Sequence, residues 1–461
     1  MTDACDLIVI GAGPAGLASA TLAAELGLSV VAIDEQGTPG GQIYRNVEAV
    51  DRAEFEPILG EEYFAGAELA EKFRAAGVDY RAGVAVWRVD PDGSMAWSDG
   101  EKAGVAKGRR IIAATGAMER PMPIPGWTLP GVMAAGAAQT LLKSAGMAPR
   151  GRVVIAGSGP LMLLVAQQLH AAEAEIVAVV DTTRFGAWFK AAPHVPRAFR
   201  ASDQLAKGSA MINRVRAIGA QVYWWAHSIE AKGRGKLESV AFTASGAARE
   251  IEADMLLLHE GVVPNTQLTR QVGCDHEWYP VQRYWRPVVD HWGATSVETL
   301  AVAGDGGGIF GAEAAAIAGR LAALDAAFRL GAIDEAMRDD QAKTLRQDYH
   351  RATALRPMLD RLYAPDPKAV APADDATLVC RCEEITAGDI REAVRLGATG
   401  PNQLKAFTRC GMGPCQGRMC GLAVSEVIAA ERGRPVEEVG YYRIRPPLKP
   451  VTLAELAAME D

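Results

Sequence analysis

The sequence predicts an α/β protein with two parallel-sheet dinucleotide-binding domains and a small, mostly helical cysteine-bearing domain at its C-terminal end. Two observations carry this. A strand, glycine turn, helix, strand pattern occurs twice, over residues 1–36 and 151–181. Five of the seven cysteines fall in the last 82 residues. A chain of 461 residues is too long for one ordinary core, since domains run to roughly 100–200 residues.

In the first unit, Asp6 to Ile10 is an apolar strand run, Pro14 to Leu26 an Ala-rich helix stopped by Gly27, and Ser29 to Ile33 a second strand. In the second, Arg152 to Ala156 is a strand, Pro160 to Ala172 a helix and Ala174 to Val180 a strand. Strands alternating with helices imply parallel pairing. A charge-rich helical stretch runs from about Ile333 to Leu362, and Ala364 to Ala376, rich in Pro, Ala and Asp, reads as a linker. Beyond it Thr386 caps a helix with Asp389 at the capping-box position, and that helix ends at Gly397. Further helices are expected near Gln403–Thr408 and Gly421–Glu431. The expected division is 1–125 with 290–332 as the first nucleotide domain, 126–289 as the second, 333–376 as connector and linker, and 377–461 as the cysteine domain.

Hydrophobic residues at 49% and charged residues at 23% fit a globular protein. A net charge of -8 disfavours nucleic acid as a partner. No apolar run reaches the roughly 18 residues a membrane span needs. The opening MTDACDLIVIG lacks a basic region before its apolar stretch, so no signal peptide is expected. Clustered cysteines in such a chain point to a metal or redox site in a reducing, cytoplasmic compartment.

Gly11-x-Gly13-x-x-Gly16 lies between strand and helix. Gly11 makes the turn, Gly13 lets backbone approach a pyrophosphate, and Gly16 lets helix pack on strand. The helix N-terminus then faces the phosphates. Glu35, 19 residues after Gly16, is the expected ribose-binding acid, with Asp34 beside it as the weaker candidate. Gly40-Gly41-Gln42 follows. Ala114-Thr115-Gly116 ends the apolar run Ile111 to Ala113, and Ala303-Gly304-Asp305 ends another. Four motifs in this order resemble a glutathione-reductase-like flavoprotein and favour FAD over a plain NAD-binding fold. In that pattern the last Asp, here Asp305, lies on the flavin side.

Gly157-x-Gly159-Pro160 opens the second unit, but Met162 stands where a third glycine would be. Asp181 ends the next strand and suits an unphosphorylated ribose better than NADP. Three states stay open for this domain: NAD turnover, a structurally bound adenine nucleotide such as ATP, or no nucleotide. No cysteine lies between Cys5 and Cys274, so no disulfide relay exists in either nucleotide unit, and electrons from a flavin need another exit.

Cys380-x-Cys382 is followed 33 residues later by Cys415, with Cys420 five further on. Four thiolates complete a [2Fe-2S] shell. Zinc favours wider knuckles, and a disulfide is disfavoured in a reducing compartment. Cys380, Cys382, Cys415 and Cys420 are the expected ligands, and Cys410 is the expected spare because the step from Cys382 to Cys415 matches the longer separation in the type of iron–sulfur module that this segment resembles. The helix near Gly421 aims its N-terminus at the anionic cluster, and Arg381, Arg409 and Arg418 are placed to offset its charge.

The run from Cys380-Arg-Cys-Glu-Glu-Ile to Cys410-Gly-Met-Gly-Pro-Cys-Gln-Gly-Arg-Met-Cys420 resembles the bacterioferritin-associated-ferredoxin-like [2Fe-2S] domain. With Gly40-Gly-Gln-Ile-Tyr-Arg45, Ala114-Thr-Gly-Ala-Met-Glu-Arg-Pro121, Pro125-Gly-Trp and His259-Glu-Gly-Val-Val-Pro-Asn265, nearly the whole chain resembles one family. That family includes the A-subunits of octopine and nopaline oxidases, the large FAD subunit of hydrogen cyanide synthase, and alpha subunits of D-hydroxyproline and L-proline dehydrogenases. The resemblance implies a beta partner like D-amino-acid or sarcosine oxidases that oxidises a C–N bond, with this chain relaying electrons. It also implies FMN at a subunit interface and a small third subunit, as in several relatives. For FAD it implies contacts from Gly11, Gly13, Pro14, Ala15, Gly16, Asp34, Glu35, Gln36, Gly41, Gln42, Arg45, Val86, Ala114, Thr115, Gly116, Gly304 and Asp305. For a second nucleotide it implies Gly157, Gly159 and Asp181.

The seven histidines form no Ser/His/Asp or metal pattern and read as structural or surface residues. Trp224-Trp225 and Trp285 beside Tyr284 read as packing, and Cys5 as an inert buried thiol. The function expected is the electron-transferring alpha subunit of a heteromeric dehydrogenase acting on an amine, amino acid or opine. The alternatives are a stand-alone NAD(P)H-dependent flavin/iron–sulfur reductase and a catalytically silent scaffold.

Overall fold

The computed structural model describes residues 4–459. Strand Ala4–Ile10 is flanked in parallel by Val30–Asp34 and Ala103–Ala113, and helix Pro14–Glu25 crosses between the first two. Asp79–Ala82 extends the sheet in parallel on one side, while Ser94–Ser98 and Ala85–Val89 continue it antiparallel on the other. The seventh strand, Leu300–Val302, comes from the far end of the chain and pairs in parallel with Ala103–Ala113. Helix Ala312–Arg329 then packs on Pro14–Glu25 so closely that a Cβ at Gly319 would lie 2.1 Å from the Ala15 carbonyl oxygen. Near-continuous apolar strands such as Leu7 to Ile10 are buried because helices cover this sheet.

The second sheet has five parallel strands in the order Gln221–Tyr223, Glu175–Asp181, Arg152–Ser158, Met255–Glu260 and Val132–Ala134. An antiparallel three-stranded sheet, His227–Lys232, Ser239–Ala244 and Ala247–Glu252, packs against it through Phe242 and Val240. Both predicted strand–helix–strand units are present within two residues of their expected ends.

The charge-rich stretch is two helices, Glu335–Ala352 and Arg356–Leu362. The segment that reads as a linker is packed rather than loose. It holds the short helix Pro367–Val370, Val370 is buried, and Arg391 pairs with Asp375 and donates to the Pro372 carbonyl. Proline and aspartate there serve as caps and turns. Helix Ala387–Arg395 carries the expected capping box, and Pro401–Thr408 and Gly421–Arg432 complete the helical set. Among the described residues, no helix is long and apolar enough to cross a membrane.

The C-terminal module is fastened to both sheets. Leu448 N–H donates to the Trp87 carbonyl at 2.8 Å, and Trp127 Nε1 to the Leu378 carbonyl at 2.7 Å. Arg283 forks onto Glu426, with Nε 2.7 Å from Oε1, and the Glu426 side chain is only 4% exposed. Removing one partner of a buried, charge-assisted pair strands the other. Glu426→Ala is therefore expected to cost about 2–3 kcal/mol, less than a fully buried pair because Arg283 keeps some solvent. Thermal unfolding of the variant measures this. A loss below ~0.5 kcal/mol, the level of an ordinary surface change, would show that the pair does not hold the module in place.

Candidate functional site

The first cleft opens at the C-terminal ends of Ala4–Ile10 and Ala103–Ala113. Gly11 sits at φ +103, and a Cβ there would lie 2.4 Å from the Ala114 carbonyl oxygen. A Cβ at Gly16 would lie 1.7 Å from the Gly11 carbonyl oxygen, so both glycines are demanded by the fold itself. Gly13 differs. Its Cβ would meet only the Gly41 Cα, at an ordinary 3.6 Å. Gly40 N–H bonds to the Ala12 carbonyl at 2.8 Å, which draws the Gly40-Gly41 loop over the turn. The helix Pro14–Glu25 begins here without a side-chain cap, leaving first-turn amides open to an anion. A glycine-walled slot facing uncapped amides fits a dinucleotide pyrophosphate.

The two acids at the end of Val30–Asp34 divide their tasks. Asp34 is structural: Oδ2 accepts from Ala12 N–H at 2.6 Å and Oδ1 from Gln36 N–H at 2.7 Å, bracing the glycine turn. Glu35 points outward and pairs with Lys449 of the C-terminal tail. Arg45 donates to Gln36, yet its buried Nε has no partner. Lys143, missed by sequence reading, clamps this loop from the second domain, with Nζ 2.9 Å from the Ile43 carbonyl and 3.2 Å from Gln139 Oε1. Burial pulls its pKa down to about 7. Thr115 Oγ1 reaches the Asn265 carbonyl at 3.3 Å. Asp305 Oδ1 accepts from the Phe310 and Gly311 amides at 2.8 and 3.1 Å, and burial pushes its carboxyl up. Gly304 sits against Ala15, its virtual Cβ 2.7 Å from the Ala15 Cβ. Val86 is a buried residue of Ala85–Val89, and Gln42 presents its carbonyl to Lys143 at 3.4 Å.

At the second cleft, Gly157 and Gly159 take φ +143 and +107 before the uncapped helix Pro160–Ala171. Met162, in the third-glycine position, is fully buried and fills that space. Asp181 is buried, its carboxyl pushed up by burial, and it already accepts from Thr183 N–H at 2.8 Å. It lines a small pocket with Leu163, Ile212, Val215, Arg216 and Trp224. The polar residues gathered at this cleft went unread as a site in the sequence. His259 Nδ1 lies 2.5 Å from Glu119 Oε1, and Glu119 Oε2 accepts from Gly136 N–H at 2.8 Å. Its Nε2 lies 3.8 Å from a Cβ built on Gly159. Glu260, raised by burial, accepts from Ser158 Oγ at 3.1 Å and from Thr182.

Five cysteines meet in the C-terminal module. The sulfurs of Cys380, Cys410 and Cys420 all lie within 4.8 Å of one another and all three residues are buried. Cys382 and Cys415 form a second, more exposed group in side-chain contact. Cys410, expected as a spare, thus stands inside the buried group, whereas Cys415 stands beside Cys382. Thiol donation from Cys410 and Cys420 favours the Cys380 thiolate, and those two thiols are themselves held up. Cys420 immediately precedes the helix Gly421–Arg432, without a side-chain capping bond, and Tyr442 Oη donates to Cys410 Sγ at 3.4 Å. A soft donor set of this size suits iron or zinc. The three nearby arginines are otherwise engaged: Arg409 pairs with Glu383 at 3.1 Å, Arg381 lies over Trp127, and Arg418 Nη2 reaches the Leu448 carbonyl at 3.5 Å.

The clefts and the module are linked. Asn265 N–H bonds to the Gly116 carbonyl at 3.0 Å, and Gln267 Nε2 to the Gln416 carbonyl at 3.0 Å, so one short loop touches both the Thr115 turn and the cysteine loop. Beside it Trp285, Arg418, Tyr441 and Leu422 line a small pocket. Cys5 is buried, and burial pushes its thiol up, as an inert core thiol requires.

Two glycine-turn clefts at the strand ends of two such sheets are the architecture of a pyridine nucleotide-disulphide oxidoreductase, and residues 5–319 match that family. Residues 375–460 match the sarcosine oxidase A3 domain. The chain is 44% identical to the A-subunit of opine oxidase from Agrobacterium tumefaciens, over 99% of this chain and 92% of that protein. It is 33% identical to the hydrogen cyanide synthase subunit HcnB of Pseudomonas aeruginosa, over 96% of each. Among solved structures, L-proline dehydrogenase from P. horikoshii superposes with a TM-score of 0.72 at 20% identity, over 99% of this chain and 80% of that one. The chain belongs to the family of opine oxidase A-subunits.

Proposed function

We propose that this chain is the FAD- and [2Fe-2S]-carrying alpha subunit of a heteromeric dehydrogenase that oxidises a C–N bond of an amino acid, opine or related amine. Substrate oxidation takes place in a partner flavoprotein subunit. The observation that carries the reading is the loop Asn265–Gln267, which touches the Thr115-Gly116 turn at one end and the cysteine loop at the other. The relatives named as opine oxidase, hydrogen cyanide synthase and sarcosine oxidase subunits supply the substrate class. When bound, FAD and the cluster would supply two-electron and one-electron chemistry respectively.

The chain's residues would divide the work as follows. Gly13, Gly41 and the open amides of Pro14–Glu25 would hold the pyrophosphate, and Glu35 the ribose. Asp34 keeps the turn in shape, and Lys143 ties the Gly41–Arg45 loop to the second domain. Cys380, Cys382, Cys415 and Cys420 would hold the cluster. The uncapped helix beyond Gly159 suits an adenine nucleotide, with Asp181 already satisfied internally.

Carboxylate-bearing substrates need an Arg or an equivalent clamp beside the flavin. The buried Arg120 is turned away onto the Glu260 and Arg283 carbonyls, each at 3.0 Å. Anaerobic mixing of the purified single chain with octopine, nopaline, proline, hydroxyproline, sarcosine or glycine is expected to leave its flavin absorbance unchanged. The native multisubunit complex is expected to bleach. Rapid bleaching of the single chain by any of them would make it a complete enzyme, and rapid bleaching by NADH alone would favour the stand-alone reductase.

A further inference from the structure

Between Glu175–Asp181 and helix Ser202–Ala217 the chain inserts short helical turns over residues 184–201. This segment is built inside out. Its buried positions are alanines: Ala187 and Ala191 seat on Leu362, and Ala198 and Ala201 on Ala354 and Leu355. Its outward positions are large rings. Phe185, Trp188, Phe189 and Phe199 are 63, 55, 74 and 67% exposed. Phe185 also stands edge-on to Trp225, with ring centroids 5.3 Å apart, and Trp225 is itself exposed. A segment whose task was only to cover the protein would bury the rings and expose the alanines.

The charge is as one-sided as the apolar surface. Between Thr182 and Ser202 there is no acidic residue, in a chain whose net charge is -8. Arg184, Lys190, Arg197 and Arg200 all lie in this stretch and all are exposed. Arg184 approaches Asp366 at 3.8 Å, which ties the segment to the region beyond Leu362. Aromatic rings and arginines together are the composition of the energetic centre of a protein interface.

We propose that residues 184–200, with Trp225, form the docking surface for the amine-oxidising partner subunit, and that the partner meets them with apolar pockets inside an acidic rim. The inference rests on the heteromeric reading above and names its interface. The rings supply contact area at low entropic cost, and the cations steer the approach and set its salt dependence. The seat on the Arg356–Leu362 helix holds the surface in place before the partner arrives.

The test uses the complex purified through a tag on this chain, compared with the isolated holo-chain by hydrogen–deuterium exchange. Residues 184–200 are expected to be protected in the complex. Trp188→Ser combined with Phe189→Ser alters only exposed side chains, so flavin content and melting temperature should stay unchanged while partner affinity falls about thirtyfold. Arg197→Glu with Arg200→Glu is expected to weaken binding most at low salt. Wild-type exchange in the complex, or undiminished affinity of both double variants, would overturn the inference while leaving the heteromeric reading intact. Binding of the segment to phosphatidylglycerol vesicles, with no protection in the complex, would also overturn it and assign the surface to lipid. Purification of the chain with no partner at all would overturn the heteromeric reading and this inference with it.

Discussion

Gly13→Val is expected to give a folded protein that purifies without FAD. The geometry separates this glycine from its neighbours. A side chain at Gly11 or Gly16 would drive into a backbone carbonyl at 2.4 or 1.7 Å, so those substitutions attack the fold. At Gly13 the backbone φ is -78, which any residue adopts, and the space beyond Cα holds only Gly41 Cα at 3.6 Å. What a valine fills there is the slot between the turn and the Gly40-Gly41 loop. A pyrophosphate bound to the open amides of the following helix would need that slot. The expected loss is at least about a hundredfold in FAD affinity, the scale of about 3 kcal/mol. Flavin absorbance after purification, with far-UV circular dichroism as the control for folding, decides it. Stoichiometric flavin in the variant would sink the assignment of this cleft. Gly41→Ala is a useful companion, since its Cβ would come 2.8 Å from Gly13 Cα.

The parts of this architecture that were legible in the sequence are those governed by local rules. The glycine turns, the apolar strand runs and the Thr386–Asp389 capping box each depend on residues a few positions apart, and each stands as read. What escaped depends on pairing across the fold. His259 meets Glu119 because Val262–Pro264 pairs antiparallel with Ala117–Glu119, 140 residues away. Lys143 reaches the Gly41–Arg45 loop only once both sheets are packed. Asp34 and Glu35 are chemically alike in sequence, and only strand geometry shows that one faces the turn and the other faces out. Trp225 escaped for a different reason: a Trp-Trp pair has the composition of a core, so it reads as packing although it is exposed. Polar composition misled in the opposite direction at Ala364 to Ala376, where Asp and Pro residues cap and turn a packed segment.

Cys382→Ser and Cys415→Ser are each expected to abolish the iron–sulfur cluster, whereas Cys410→Ser is expected to retain it. A [2Fe-2S] centre takes four thiolates, and two adjacent pairs would serve its two irons. Cys382 and Cys415 are in side-chain contact on the more exposed side, and Cys380 and Cys420 lie within 4.8 Å of each other on the buried side. That pairing uses both sides of the module. It also uses Cys420, the residue immediately before Gly421–Arg432, so that the open first-turn amides of that helix follow a ligand. Cys410 is the competitor, because its sulfur belongs to the same buried group. Its hydrogen bond from Tyr442 Oη, at 3.4 Å, gives it a second role as a buried thiol held in a polar contact. Serine keeps that contact but binds iron as a harder, weaker ligand than thiolate. Replacing a true ligand should therefore remove iron and the visible cluster absorbance almost completely, and replacing Cys410 should leave both near wild type. FAD content should be unchanged in all three variants and serves as the internal control. Loss of iron in Cys410→Ser with survival in Cys415→Ser would transfer the fourth ligand position to Cys410 and make Cys380, Cys410 and Cys420 the buried face of the cluster.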